Sequence, residues 1–388
     1  MQLADIITER IRAVTQVART ALHEPALNGN ELAYVTECIK TGWVSSVGSY
    51  VDRFERDLAE YTGARHAIVV SNGTSGLQVA LMLCGVTAGD EVLVPALSFV
   101  ATANAVRHCG ALPHFVDSGY ATLGVDPEAL DAYLRDVAQV RDGACFNRRT
   151  GRRIAALVPM HTFGHPVDMP ALMEVARRHA LEVVEDAAES LGSWIGDTHT
   201  GRYGRCAMLS FNGNKVVTTG GGGAIITDDS ELARRAKHLT TTAKLPHAWE
   251  YAHDEVAFNY RMPNLNAALG CAQLERLGAF LDAKRELAGR YQKAFADLPE
   301  VELFTERAGT RANYWLQTLL LKPGHAHQRD AVLRATNEAG QMTRPIWKLL
   351  STLPMYVECE SMPTPVAQDL ACRLINIPSG PQLVAGAL

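Results

Sequence analysis

Short apolar runs and amphipathic stretches alternate from about residue 66 onward. The runs at 66–70, 91–94, 112–117, 154–159 and 181–186 have the length of strands buried on both faces. Between them, apolar residues recur at helical spacing over about 75–85, up to His108, and 168–180. Asp126-Pro127-Glu128 starts another helix, with Asp as the cap and Pro in the first turn. Two more short strands, at 207–211 and 224–227, precede a helix at 229–239. This alternation predicts an α/β fold, a mostly parallel sheet flanked by helices.

The flanking stretches read differently. Leu3, Ile6, Ile7, Ile11, Val14 and Val17 lie roughly on one face of a helix over 3–20, which would either cap a neighbouring subunit or pack on its own domain. Further helices are expected at 30–41 and 50–61, joined by Gly42-Trp43-Val44-Ser45-Ser46-Val47-Gly48, a loop able to lie against a ligand. After about 245 the texture becomes irregular. Helices at 264–277, 279–297, 326–339 and 365–374, with strands at 301–304 and 314–321, predict a smaller α+β domain. The expected organisation is an N-terminal helix and arm (1–30), a large α/β domain (31–245) and a small C-terminal domain (246–388).

Composition narrows the class. Of 388 residues, 47% are apolar and 20% charged, and the formal net charge is −5. That suits a globular chain with a sizeable core and disfavours nucleic acid or an anionic membrane as partner. No apolar run reaches about eighteen residues, so no membrane span is expected. Asp5, Glu9 and Arg10 interrupt any signal-peptide pattern. None of the eight cysteines forms a CxxC pair, so reduced thiols in a cytoplasmic protein are expected, with no zinc site. Five arginines between 141 and 153 read as a polar hairpin insert, with anion binding as the alternative.

Ligands in open α/β sheets bind at the C-terminal ends of the strands. Several chemistry-bearing residues fall there. Ser71-Asn72-Gly73-Thr74-Ser75-Gly76 runs from a strand into a helix and would make a phosphate cradle from free N–H groups and the helix dipole. Phe99 follows the second strand and could stack on a planar ligand. His161 follows the fourth, and Asp186 ends the fifth. Lys215 sits in Ser210-Phe211-Asn212-Gly213-Asn214-Lys215, ahead of Gly220 to Gly223, where its amine could form a Schiff base with a carbonyl. A lysine that holds an aldehyde cofactor and an aspartate that faces its pyridine nitrogen are the two fixed points of a pyridoxal 5′-phosphate (PLP) site.

Four phrases carry a family resemblance: the Gly42–Gly48 loop, Glu185-Asp186-Ala187-Ala188-Glu189-Ser190, the Ser210–Lys215 stretch, and Asn259-Tyr260-Arg261-Met262-Pro263. From about His23 to Pro378 the chain resembles the DegT/StrS-type sugar aminotransferases, fold type I PLP enzymes, and within them the LegC-like branch. The resemblance implies that Lys215 carries the cofactor aldehyde and later moves the proton between the substrate carbon and cofactor C4′. Asp186 would pair with the ring nitrogen. Thr74, Ser75 and Ser210 would hold the phosphate, Phe99 would stack on the ring, and Glu189 would lie near its hydroxyl. Asn259 would reach the phosphate of a second subunit's cofactor, making a homodimer with shared sites.

The expected reaction moves an amino group from glutamate, leaving 2-oxoglutarate, to a nucleotide-linked 4-keto-6-deoxy sugar. A UDP-linked N-acetylhexosamine is the first choice of acceptor, for surface glycans such as lipopolysaccharide. Trp43, Ser45, Ser46, His161, Tyr314 and Trp347 are candidates for the acceptor pocket. Rivals are transfer to another keto sugar or a keto-inositol, a silent scaffold, and a deoxysugar dehydratase on the same frame. Lys215 argues against the dehydratase, whose hallmark is a histidine there.

Overall fold

The computed structural model describes residues 2–384. Its main sheet runs in the order His66–Val70, Gly223–Thr227, Cys206–Ser210, Glu182–Asp186, Arg153–Leu157, Glu91–Pro95, Leu112–Val116. Cys206–Ser210 through Leu112–Val116 pair parallel, while Gly223–Thr227 pairs antiparallel with both its neighbours. The near-continuous apolar runs follow from helices covering both faces, which leave no solvent-facing side to mark with polar residues.

The parallel strands all point their C-terminal ends toward one edge. Met160 bridges to Asp186 there. The Arg-rich insert is the hairpin Ala138–Arg141 and Ala144–Asn147, at the start of Arg153–Leu157. Arg153 pairs with Asp90 at 2.5 Å, Arg149 lies 3.7 Å from Asp136, and Arg141 stacks on Phe146 at 4.0 Å. The hairpin is thus anchored at the edge opposite the strand C-termini, which excludes it from any ligand site there.

A second, four-stranded antiparallel sheet orders Val301–Leu303, Gln317–Leu321, Leu374–Ile377 and Arg344–Pro345. Leu374–Ile377 was not expected, because the helix before it was read as running to 374; it stops at Arg373. The strand expected at 314–321 starts only at Gln317. Tyr314 has φ +49°, a left-handed conformation that no strand residue adopts.

Packing does not follow chain order. The N-terminal helix, Leu3–Thr15, ends early at Gln16, which adopts φ 55°. Its Leu3, Ile7 and Ile11 join Leu287, Tyr291 and Val332 in the core of the second sheet, so it packs on its own chain. Asn264–Glu275 lies beyond residue 245 but packs in the larger core. There, Cβ of any residue at Gly270 would sit 2.6 Å from Phe54. Asn264 also holds the Gly42–Gly48 loop: its Nδ2 donates to Trp43 O at 2.7 Å, and its Oδ1 accepts from Tyr50 N at 3.1 Å.

Gly223 fixes the separation between the main sheet and the Asn72–Gly73 turn. An added Cβ would fall 2.8 Å from Leu209 O and 3.0 Å from Gly73 N, both backbone atoms. Gly223→Ala should therefore destabilise the chain by about 1–3 kcal/mol, read as a lower urea midpoint with an unchanged slope.

Candidate active site

At the C-terminal edge of the main sheet lies a cavity of about 330 Å³. Asn72, Gly73, Thr74, Phe99, Met160, Asp186, Ala188, Glu189, Ser210, Asn214, Lys215, Trp315 and Trp347 contribute to its lining. Asp186 ends the strand Glu182–Asp186. Thr102 Oγ1 donates to its Oδ2 at 2.7 Å, and Ala188 N donates to its Oδ1 at 3.2 Å. Burial raises the Asp186 pKa, and the bonds from Thr102 and Ala188 and the Lys215 charge only partly offset this. A buried acid so placed is suited to a cationic partner.

Lys215 follows the turn after Cys206–Ser210. Its Nζ donates to Glu189 Oε1 at 3.3 Å and lies 3.7 Å from the Trp315 ring centroid. Glu189 is buried, and Phe163 N donates to its other oxygen at 2.8 Å. Burial pushes Glu189 up to about 7, against the opposing pull of Lys215. Asn72 caps the helix Gly73–Leu83, its side chain accepting from Ser75 N at 2.9 Å. The amides of Gly73 and Thr74 start that helix and lack intrahelical partners by position. With Thr74 and Ser210 on the same cavity wall, these amides could receive an anion.

The structure thus brings together Thr74, Phe99, Asp186, Glu189, Ser210, Lys215 and Trp347. Other expected residues stand elsewhere. Ser75 Oγ donates to Asn72 O at 2.9 Å, within the helix's first turn and not into the cavity. His161 is fully buried, its Nε2 3.0 Å from Glu185. The reason is alternation along extended chain: Met160 and Asp186 face the cavity, so His161 and Glu185 face away. Glu185 there accepts from the amides of Gly201, Tyr203 and Gly204, each at 2.7 Å.

Tyr314 is buried against His165, ring centroids 5.2 Å apart, and its hydroxyl accepts from Glu306 N at 3.3 Å. Its neighbour Trp315 takes the cavity position. Periodicity offered no basis for choosing between the two, because the left-handed Tyr314 resets the direction of the chain. Trp43 and Ser45 are exposed on the loop held by Asn264, and with Ser46 they lie outside this cavity. Asn259 is also exposed and outside it, accepting from Arg261 Nε at 3.2 Å.

A parallel-sheet edge bearing a lysine, a buried aspartate and a helix N-terminus around one cavity defines a fold type I PLP enzyme. The chain belongs to the DegT/DnrJ/EryC1/StrS aminotransferase family, whose model matches residues 25–387. It is a PLP-dependent aminotransferase. It is 36% identical over 367 residues to a GDP-perosamine synthase from Caulobacter vibrioides, covering 94% of each chain. The GDP-perosamine synthase of Vibrio cholerae is 36% identical over 363 residues, covering 93% of this chain and 94% of its own. The crystal structure of the aminotransferase TlmJ from Streptoalloteichus hindustanus superposes with a TM-score of 0.83, at 28% identity and 93% coverage of both chains.

Acid response follows from the buried groups. Burial lowers His165 and His199 from 6.5 to about 4. Between those values the unfolded chain binds more protons, so these histidines make stability fall as pH drops from 6.5 to 4. Glu189 works the other way: raised from 4.5 to about 7, it makes stability fall as pH rises through that window. In cofactor-free Glu189→Gln, stability should therefore climb more steeply from pH 4.5 to 6.5 than in the native chain. The slopes should differ by up to about 1.4 kcal/mol per pH unit, measured by urea unfolding at each pH.

Proposed function

We propose that this chain is a sugar aminotransferase of nucleotide-sugar biosynthesis. It would take an amino group from glutamate and place it on a nucleotide-linked 4-keto-6-deoxy sugar. The observation that carries this reading is the shared cavity of Lys215 and Asp186, with the Gly73–Leu83 helix N-terminus on its wall. PLP, when bound, supplies an aldehyde for an amine and a protonated ring that draws electrons from the carbon losing its proton.

The chain's own residues then divide the remaining work. Lys215 would hold the aldehyde, and its amine would move the proton at the reacting carbon. Asp186, positioned by Thr102 and Ala188, would face the ring nitrogen as its counter-charge. Thr74, Ser210 and the first amides of the helix receive the phosphate. Phe99, half exposed at the cavity, would lie against the ring face. Glu189 lies close enough to Lys215 to take or return a proton, and its raised pKa suits exchange near neutrality.

Two acceptors compete. Resemblance to the LegC-like branch favoured a UDP-linked N-acetylhexosamine. The names of the relatives at 36% identity favour a GDP-linked sugar instead. We take the GDP-linked 4-keto-6-deoxyhexose as the better supported acceptor. A homodimer with shared sites fits the exposed positions of Asn259, Trp43 and Ser45, which lie outside the Lys215–Asp186 cavity of their own chain. Exposed Leu32 and Ile39 beside that loop offer apolar surface for a second copy.

Incubation with glutamate and a panel of GDP-, UDP- and dTDP-linked 4-keto-6-deoxy sugars should convert the GDP-linked member fastest, read by the mass change of the sugar. Preference for a UDP-linked member would restore the first choice, and no conversion of any member would remove the reading. Mixed Lys215→Ala and Asn259→Ala subunits, with exchange verified, should regain up to about a quarter of native activity if each site draws on both copies. Equal inactivity of mixed and unmixed preparations would count against the shared site.

A further inference from the structure

Trp315 is tied down on every side. Its Nε1 donates to Asn214 O at 2.7 Å, the residue immediately before Lys215. Its backbone N donates to Asn313 Oδ1 at 2.7 Å, while Asn313 Nδ2 donates to Glu189 O at 2.8 Å and Leu191 O at 2.9 Å. Its carbonyl accepts from Lys284 Nζ at 3.1 Å. Lys284 itself is fully buried, and its amine also donates to Ser379 O at 2.7 Å. The residue between Asn313 and Trp315 is Tyr314, at φ +49°. A bulky residue in that region is strained and persists only where its surroundings over-determine it.

This anchoring holds a ring face in one place, and Lys215 Nζ rests on that face 3.7 Å from its centroid. Phe163 flanks the same indole at 6.3 Å, while Glu189 Oε1 accepts from the amine at 3.3 Å. A lysine on four methylene-length torsions has much rotamer freedom to lose before its amine can be aimed.

We propose that Trp315 is a positioning residue for Lys215: its indole face seats the lysine nitrogen, both free and bonded to cofactor, and the Asn313 and Lys284 contacts fix the seat. The inference rests on Lys215 being the point of cofactor attachment. After the substrate amine displaces Lys215, the seat keeps the freed amine beside the reacting carbon and out of bulk water. The face of the ring matters, not its bulk alone, because the attraction is between a cation and a π system.

The test compares variants by steady-state kinetics and by visible circular dichroism of bound PLP. Trp315→Leu should lower kcat ~10-fold, with KM for glutamate within ~2-fold, and weaken the cofactor's dichroic band. Trp315→Phe, which keeps an aromatic face, should recover both to within ~3-fold of native. Trp315→Met is a second variant without a ring face, so failure of Trp315→Leu to fold leaves the comparison intact. Equal behaviour of the aliphatic and Phe variants, or native kcat and dichroism in an aliphatic one, would overturn the seat. Borohydride reduction and peptide mass mapping of the native protein test the underlying reading separately. An adduct on Lys215 with unchanged aliphatic variants sinks only the seat, whereas an adduct elsewhere sinks the attachment itself.

Discussion

Everything at this site hangs on a carboxylate kept out of water. Asp186 is buried at the end of a central strand, where the nearest compensations are one hydroxyl and one amide. A buried acid without a full counter-charge is costly, and its pKa rises accordingly. The fold accepts that cost because the parallel strands align their ends at one edge. Thr102, from the helix after Glu91–Pro95, and Ala188, just past the strand itself, are both delivered there by that alignment.

Around this acid the wall divides into a polar half and an aromatic half. The polar half is the N-terminus of Gly73–Leu83, held close to the sheet because Gly223 has no side chain. The aromatic half is a chain of rings, Phe99 to Trp347 at 6.2 Å, Trp347 to Phe163 at 5.1 Å, and Phe163 to Trp315 at 6.3 Å. Phe163 and Tyr314 both sit at positive φ, so the segments carrying these rings are strained as well as packed. Glu189 joins the halves, bonding to Phe163 N on one oxygen and Lys215 on the other. The rings are therefore held by packing and backbone contacts, and Glu189 and Lys215 share the hydrogen bond that links the two halves.

The main sheet was legible because parallel strands covered on both faces must be short and apolar, and helices between them must be amphipathic. Asp186, Lys215 and the Asn72–Thr74 turn were legible because strand ends and glycine-flanked turns mark where such sheets present side chains. Which side of the extended chain faces the ligand was not. His161 and Met160, or Tyr314 and Trp315, are adjacent in sequence and equally plausible by type. Only the bridge between Met160 and Asp186 and the left-handed Tyr314 settle which one enters the cavity.

By itself the sequence determined most of the elements and their order, and it set Asp186 at a strand end and Lys215 in a glycine-flanked turn, since periodicity and turn residues are local properties. Tertiary structure decided what depends on distant contacts. It placed Leu3–Thr15 in the second core and Asn264–Glu275 in the first, because an apolar face is buried wherever complementary surface exists, without regard to chain order. It also set Trp315 beside Lys215, through a hydrogen bond to Asn313 and one from Lys284 whose geometry no local pattern encodes.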